Sequence, residues 1–222
     1  MFYIGDNFYP LGVQSSNDNA FNECWRDVFL KHANLQVPWK MVLGNHDYMK
    51  NPIAQIDYHS DSVNNQDKLW HMPSLSYSFS CHVRSHTTHG MLTRIDFHAL
   101  DTNGCQRHVT RMFPALLNML DGFITQLHSK LLGSNAQWRI VFGHHPMYTQ
   151  GREHGNTGRH LRGSTDTTSP SAEVKVGHPS AVRRQFGLED VLVDGAVQAY
   201  FSGHEHVFQV QQPSLIAIYT VL

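Results

Sequence analysis

Four short blocks of the chain each set metal-ligating side chains beside a glycine: Gly5-Asp6-Asn7-Phe8-Tyr9, Gly44-Asn45-His46-Asp47, Gly143-His144-His145-Pro146 and Gly203-His204-Glu205-His206. Their carboxylate, phenol, amide and imidazole groups can hold two hard or borderline metal ions side by side. Asp6 has two carboxylate oxygens and can bridge cations about 3.5–4 Å apart. Tyr9, in the same loop, offers a phenolate, a hard anionic donor that suits a ferric ion better than zinc. Asn45 offers an amide oxygen. His46 beside it need not bind metal, because an imidazole there can hydrogen-bond a phosphoryl oxygen or protonate a leaving group. His144 ends an apolar run, so its ring can project into a site at a sheet edge, whereas its neighbour His145 is read as structural and aimed elsewhere. His204 and His206 can address different metals, with Glu205 between them facing away. Each block alone also fits a bland surface turn. Four in this order point to one folded site.

The elements that must position these blocks are legible as patterns. Phe2-Tyr3-Ile4, Trp39 to Leu43, Trp138 to Phe142 and Val197 to Phe201 read as short buried strands leading into the blocks. Alternation predicts two more strands, one with Leu75, Tyr77, Phe79 and Cys81 on one side, the other with Ile95, Phe97 and Ala99 together. Helical spacing of Phe21, Trp25, Val28 and Phe29 predicts a helix from Asn17 to Lys31, capped by Asn17 or Asp18. A second amphipathic helix is expected from Pro114 to Leu132. Residues 51–71 read as irregular or as holding one short helix, and 151–179, rich in Gly, Ser and Thr, as a long surface loop. This mixture implies a layered α/β domain, in which ligands collect beyond the carboxyl ends of the strands. No repeat or linker divides residues 1–222, so a single domain is expected.

Composition narrows the class. An apolar fraction of 41% over 222 residues supports one folded core and argues against a disordered chain. A net charge of −1 with no basic stripe gives no sign of a nucleic-acid partner. The unusual feature is 17 histidines, as many as Lys and Arg combined, so spacing must separate ligands from bystanders. Cys24, Cys81 and Cys105 form no CxxC pair and read as core residues or free thiols. No run approaches the ~20 apolar residues of a membrane span, and the first residues show no charged leader with an apolar segment.

At the four blocks the chain resembles the purple (tartrate-resistant) acid phosphatases of the calcineurin-like metallophosphoesterase superfamily. Weaker likeness lies in Trp25-Arg26-Asp27-Val28-Phe29, Trp70-His71-Met72-Pro73, Leu100-Asp101-Thr102 and Glu153-His154-Gly155-Asn156-Thr157. Tyr9 discriminates best, because Ser/Thr protein phosphatases of the superfamily carry GDxVDRG where this chain has Gly5-Asp6-Asn7-Phe8-Tyr9-Pro10. The resemblance implies a metallophosphoesterase-type β-sandwich flanked by helices, and a site of ferric iron with divalent iron, zinc or manganese. Asp6 would bridge, Tyr9 and His206 would bind the ferric ion, and Asn45, His144 and His204 the divalent one. It implies hydrolysis of phosphate monoesters by a metal-activated hydroxide, with His46 and His154 contacting phosphate or protonating the leaving alcohol. Measured against the family, the chain is expected to lack a first strand with an Asp-x-Gly ligand, and strands beyond the fourth block; residues 162–183 read as an insertion. Two alternatives stand beside the phosphatase reading: a weakly active or non-catalytic homologue, and a His-rich metal-binding or interaction protein. The family is often secreted or lysosomal, which leaves localisation and oligomeric state open here.

Overall fold

The computed structural model of the chain describes residues 1–84, 90, 92–150, 157–162, 187–211 and 217–220. Two sheets carry the architecture. Strands β1 (Phe2–Ile4), β2 (Trp39–Val42) and β3 (Trp70–His71) form a three-stranded parallel sheet in that order. Strands β4 (Tyr77–Arg84), β5 (Leu92–Leu100), β6 (Trp138–Gly143), β7 (Ala199–Ser202), β8 (Gln209–Gln211) and β9 (Ala217–Thr220) form a six-stranded sheet ordered β4-β5-β6-β7-β9-β8. Its inner pairs β5–β6, β6–β7 and β7–β9 are parallel, and its outer pairs β4–β5 and β8–β9 antiparallel.

The alternation in the sequence explains how the sheets meet. Phe79 on β4 stacks on Phe97 on β5 at 5.1 Å between ring centroids, and Phe2 of β1 packs against Phe97 at 5.2 Å and Phe142 at 4.9 Å. These rings join the two sheets by burying apolar faces between them. On its outer side the small sheet rests on an aromatic cluster in which Trp25, Tyr58 and Trp70 are essentially fully buried. Phe21 lies flat on Tyr58 at 3.7 Å between centroids. The outer face of the large sheet is covered by α3 (Ala115–Leu132) and α5 (Leu188–Asp194), through Leu120, Ile124, Leu127, Val191 and Leu192.

Several expectations shift. The helix expected from Asn17 starts later, as a π-helix over Phe21–Leu30 with Ala20 at its N-cap. Asp18 does not cap it from the expected position; its carboxylate accepts from the backbone N–H groups of Gln14 and Ala20. The stretch 51–71 holds one short helix, α1 (Ile53–Ser60), and then β3. Within the stretch read as a surface loop, residues 157–162 form a helical turn, α4 (Thr157–Arg162), while 151–156 and 163–179 lie outside the described residues. Strands β8 and β9 follow the fourth block, where none was expected. A short helix α2 (Arg107–Met112) enters between β5 and α3. Among the described residues the three cysteines are free thiols, and no helix is long and apolar enough to cross a membrane.

Candidate metal centre

The four blocks meet at the carboxyl ends of four parallel strands, two from each sheet. Gly5-Asp6 follows β1, Gly44-Asn45 follows β2, His144 follows β6, and Gly203-His204 follows β7. The glycines are required by contact. A Cβ on Gly44 would lie 2.1 Å from Asp6 Oδ1 and 2.2 Å from its backbone nitrogen. A Cβ on Gly5, where φ is +83°, would lie 2.5 Å from the His144 ring. Three chemistry-bearing residues also take left-handed backbones: Asp6 (φ 52°), His204 (φ 75°) and His206 (φ 49°). Such conformations cost of order 1–3 kcal/mol each for non-glycine residues and gather where a site dictates the geometry.

The side chains form two groups that share one atom. In the first, His144 Nε2 lies 3.3 Å from Asp6 Oδ2, 3.2 Å from Asn45 Oδ1 and 3.2 Å from His204 Nδ1. In the second, the Tyr9 hydroxyl lies 3.0 Å from Asp6 Oδ2 and 3.0 Å from His206 Nε2. The orientation of His144 follows from its other nitrogen: Nδ1 donates to the Ile4 carbonyl at 2.8 Å, which leaves Nε2 facing the acceptors around it. Spacings near 3.2 Å between lone-pair atoms are those of ligands sharing one ion at about 2.0–2.2 Å. The donor chemistry therefore fits a cation.

Electrostatics reflect the crowding. Burial works against the Asp6 carboxylate, yet hydrogen bonds from His144, the His46 N–H and Tyr9 overturn that and hold its pKa well below the usual carboxylate range. Burial likewise opposes a charge on His144, but Asp6 outweighs it and raises the imidazole pKa. The Tyr9 phenol is pushed well above its ordinary value, first by burial and then by Asp6. A metal ion reverses that logic, because it favours deprotonated ligands.

His46 stands over this centre. Its backbone N–H donates to Asp6 Oδ1 at 2.9 Å, and its ring packs on Tyr9 at 4.4 Å between centroids. Its Nδ1 meets the Pro10 carbonyl at 2.7 Å, an acceptor only, so that nitrogen carries a proton and Nε2 is left for exchange. His154 lies outside the described residues. His145 is buried, with Nδ1 2.8 Å from Thr102 Oγ1, as a structural residue would be. It is not remote from the site, however: one ring nitrogen each of His144, His145 and His204 lie within 4.8 Å of one another. Glu205 is buried as well.

Some contributors carry no motif of their own. Asp47 is fully buried and receives the N–H groups of Gly44 (2.8 Å), Asn7 (3.1 Å) and Phe8 (3.3 Å), plus Gln55 Nε2 (2.8 Å). It thereby stitches the first loop to the second; burial pushes its pKa up to about 6 despite these donors. Gln55 closes the network by accepting from Asn7 Nδ2 at 2.8 Å. Gln106 reaches His204 Nε2 at 3.1 Å. His108, on α2, has its pKa lowered by partial burial and then by the neighbouring charge of His46. The only hint of the Asp47 role was its place inside the second block; Gln106 and His108 had none.

The chain belongs to the calcineurin-like phosphoesterase family, whose profile matches residues 2–208. Within it, the chain is similar to the tartrate-resistant and purple acid phosphatases. It is 30% identical to tartrate-resistant acid phosphatase type 5 of Rattus norvegicus and 28% identical to that of Homo sapiens, each alignment covering 94% of this chain and 55% of the relative. Purple acid phosphatase 7 of Arabidopsis thaliana is 27% identical over 93% of this chain and 53% of its own length. The chain thus spans about half the length of the curated relatives it matches. The solved structure of GAP50, described as the anchor in the inner membrane complex of Plasmodium, superposes with a TM-score of 0.73 over 99% of this chain and 59% of that one. At 23% identity that likeness concerns the fold.

Proposed function

We propose that this chain holds two metal ions and hydrolyses phosphate monoesters as an acid phosphatase. The observation that carries the reading is the shared position of Asp6 Oδ2, within 3.3 Å of His144 Nε2 on one side and 3.0 Å of the Tyr9 hydroxyl on the other. On this reading Asp6 would serve both ions, Tyr9 and His206 would hold ferric iron, and Asn45, His144 and His204 would hold a divalent iron, zinc or manganese ion. The pair of ions would supply positive charge for the phosphoryl oxygens and make water a usable nucleophile near neutral pH.

The chain's own groups do the rest. Tyr9, the phenolate ligand, distinguishes ferric iron from a second divalent ion by its hard anionic oxygen. His46, fixed by the Pro10 carbonyl, presents Nε2 to a bound phosphate oxygen or the departing alcohol. His154 is assigned the same kind of task from the motif alone. Membership of the phosphoesterase family and the similarity to tartrate-resistant acid phosphatases support the reading.

The test is release of inorganic phosphate from an aryl phosphate by iron- and zinc-loaded protein, with Asp6→Asn as control and bound metal counted in parallel. The proposal expects turnover and two ions in the wild type. Equal, background-level release from both proteins would remove the enzyme and leave a non-catalytic homologue. Metal uptake indifferent to Asn45→Ala would favour an unspecific His-rich binder instead.

A further inference from the structure

The outer face of the large sheet carries a buried imidazole that the metal centre does not use. Alternation along β4 and β5 sends Phe79 and Phe97 inward, so Ser78 and His98, which pair directly across the two strands, point outward beneath α3. His98 is 4% exposed. Its Nδ1 lies 2.9 Å from Ser78 Oγ, and the ammonium of Lys130, on α3, donates to that same oxygen at 3.3 Å. Its Nε2 is buried, and among the described residues it has no hydrogen-bond partner. Such an atom carries the full desolvation cost of an unmade hydrogen bond. Between sheet and helix lies a pocket with room for about one water-sized group, lined by Ser78, His98, Gln126 and Lys130 and walled by Phe123 and Leu127.

We propose that this pocket is a binding site for a small oxyanion, a carboxylate or a phosphate, held by His98 Nε2–H and the Lys130 ammonium and separate from the metal centre. The positions of the hydrogens set what it can take. Lys130 can only donate, so Ser78 Oγ accepts from it, and the hydroxyl hydrogen turns to His98 Nδ1. Burial, the largest influence, brings the His98 pKa down to about 4, so near neutral pH the ring holds one hydrogen. With Nδ1 accepting, that hydrogen sits on Nε2.

The pocket therefore offers an N–H donor at its floor and a cation at its rim. No acidic side chain lines it, and among the described residues Lys130 has no carboxylate within ion-pair distance. Asp96, the acid on the same face of β5, is already held by Ser80, Arg94 and Ser134. A metal ion finds only donors here. A water would satisfy Nε2–H but leave the ammonium without a counter-charge, whereas an oxyanion answers both. Space admits one oxygen, with the rest of the anion at the mouth, where Gln126 and Lys130 are exposed and long enough to swing aside.

The site does not rest on the phosphatase reading, and its test needs neither metal nor turnover. Imidazole nitrogen NMR of His98 on the metal-free full chain, near neutral pH, is followed during separate titrations with sodium acetate and inorganic phosphate. Sodium chloride at equal ionic strength serves as the reference. A saturable shift of the Nε2 resonance is expected with at least one oxyanion, and the one that saturates at lower concentration identifies the head group. Lys130→Gln, at an exposed position, should weaken binding about tenfold or more, as loss of a charge-assisted hydrogen bond does. His98→Phe should remove any rise in melting temperature on adding the anion. Shifts that grow linearly and match those from chloride would overturn the proposal and leave a water pocket. Wild-type affinity in Lys130→Gln would overturn it equally, even were His98→Phe to misfold.

Discussion

Two buried carboxylates, Asp6 and Asp96, sit on the same framework in opposite company. Asp96, inside β5, is met by donors at every turn: Ser80 Oγ (2.6 Å) and Arg94 Nε (2.8 Å) on one oxygen, Ser134 Oγ (2.6 Å) and Arg94 Nη2 (3.3 Å) on the other. Burial opposes its charge, but these donors bring its pKa down to about 2. Asp6 also has a depressed pKa, held down by His144, the His46 N–H and Tyr9, but its partners His144 and Tyr9 are themselves crowded by other ligand-type groups, Asn45 and His204 at 3.2 Å from His144 and His206 at 3.0 Å from Tyr9. Its backbone is left-handed, whereas Asp96 lies in regular strand. One carboxylate is ringed by dedicated donors; the other shares its donors with a cluster of ligand-type groups. A depressed pKa therefore does not by itself mark a functional carboxylate, and the character of the surrounding partners does.

Substitutions can break or sharpen this contrast. The largest effect is expected from Asp6→Asn: aryl phosphatase activity should fall by about 100-fold or more, on the scale of losing a dedicated charge-stabilising group. Its melting temperature should fall only modestly, because the amide oxygen can still accept from the His46 N–H. A large drop in melting temperature would place Asp6 with Asp96, as a structural group. Next comes Gly44→Ala, whose Cβ meets both the Asp6 carboxylate and its backbone. We expect a stability loss of about 3 kcal/mol by denaturant unfolding, with loss of metal uptake.

Asp96→Asn should cost about 2 kcal/mol, through lost charge-assisted hydrogen bonds, and leave metal uptake intact. Its pH signature is fixed in sign. The folded pKa of about 2 lies below the ordinary value of 3.8, so the stabilisation is full above about pH 4 and is lost as pH falls towards 2. The variant should show a flatter acid limb in stability measured against pH. The smallest effect is expected at Gly122 in α3, where an added Cβ meets nothing within 4 Å. Gly122→Ala should stabilise by about 1 kcal/mol through helix propensity, with activity unchanged.

What was legible in the sequence was local. A glycine beside a ligand residue after an apolar run marks a strand end that another group approaches closely, and that signal located Asp6, Asn45, His144 and His204. The alternation of Tyr77, Phe79, Phe97 and Ala99 likewise announced the strands whose rings join the sheets. What escaped depends on partners distant in the chain. Gln106 meets His204 across 98 residues, and nothing near Gln106 marks it. Asp47 looked like one more polar member of its block, because burial by Phe8, Asn7 and Gln55 is a tertiary fact. Short elements such as α4, β3, β8 and β9 carry too few residues for any period to show, and the π-helix began late because Asp18 bonds back to Gln14.

The centre draws two of its loops from the small sheet and two from the large one. Among the described residues no backbone ladder joins these layers; they meet through the aromatic seam of Phe2, Phe79, Phe97 and Phe142 and through side-chain hydrogen bonds such as Tyr77 to the Met41 carbonyl and His144 to the Ile4 carbonyl. Whatever binds all four strand ends acts as a rivet through both layers. Its grip then adds to the cohesion of the whole domain in proportion to the logarithm of its free concentration. Protease resistance should therefore rise with the supply of that ligand.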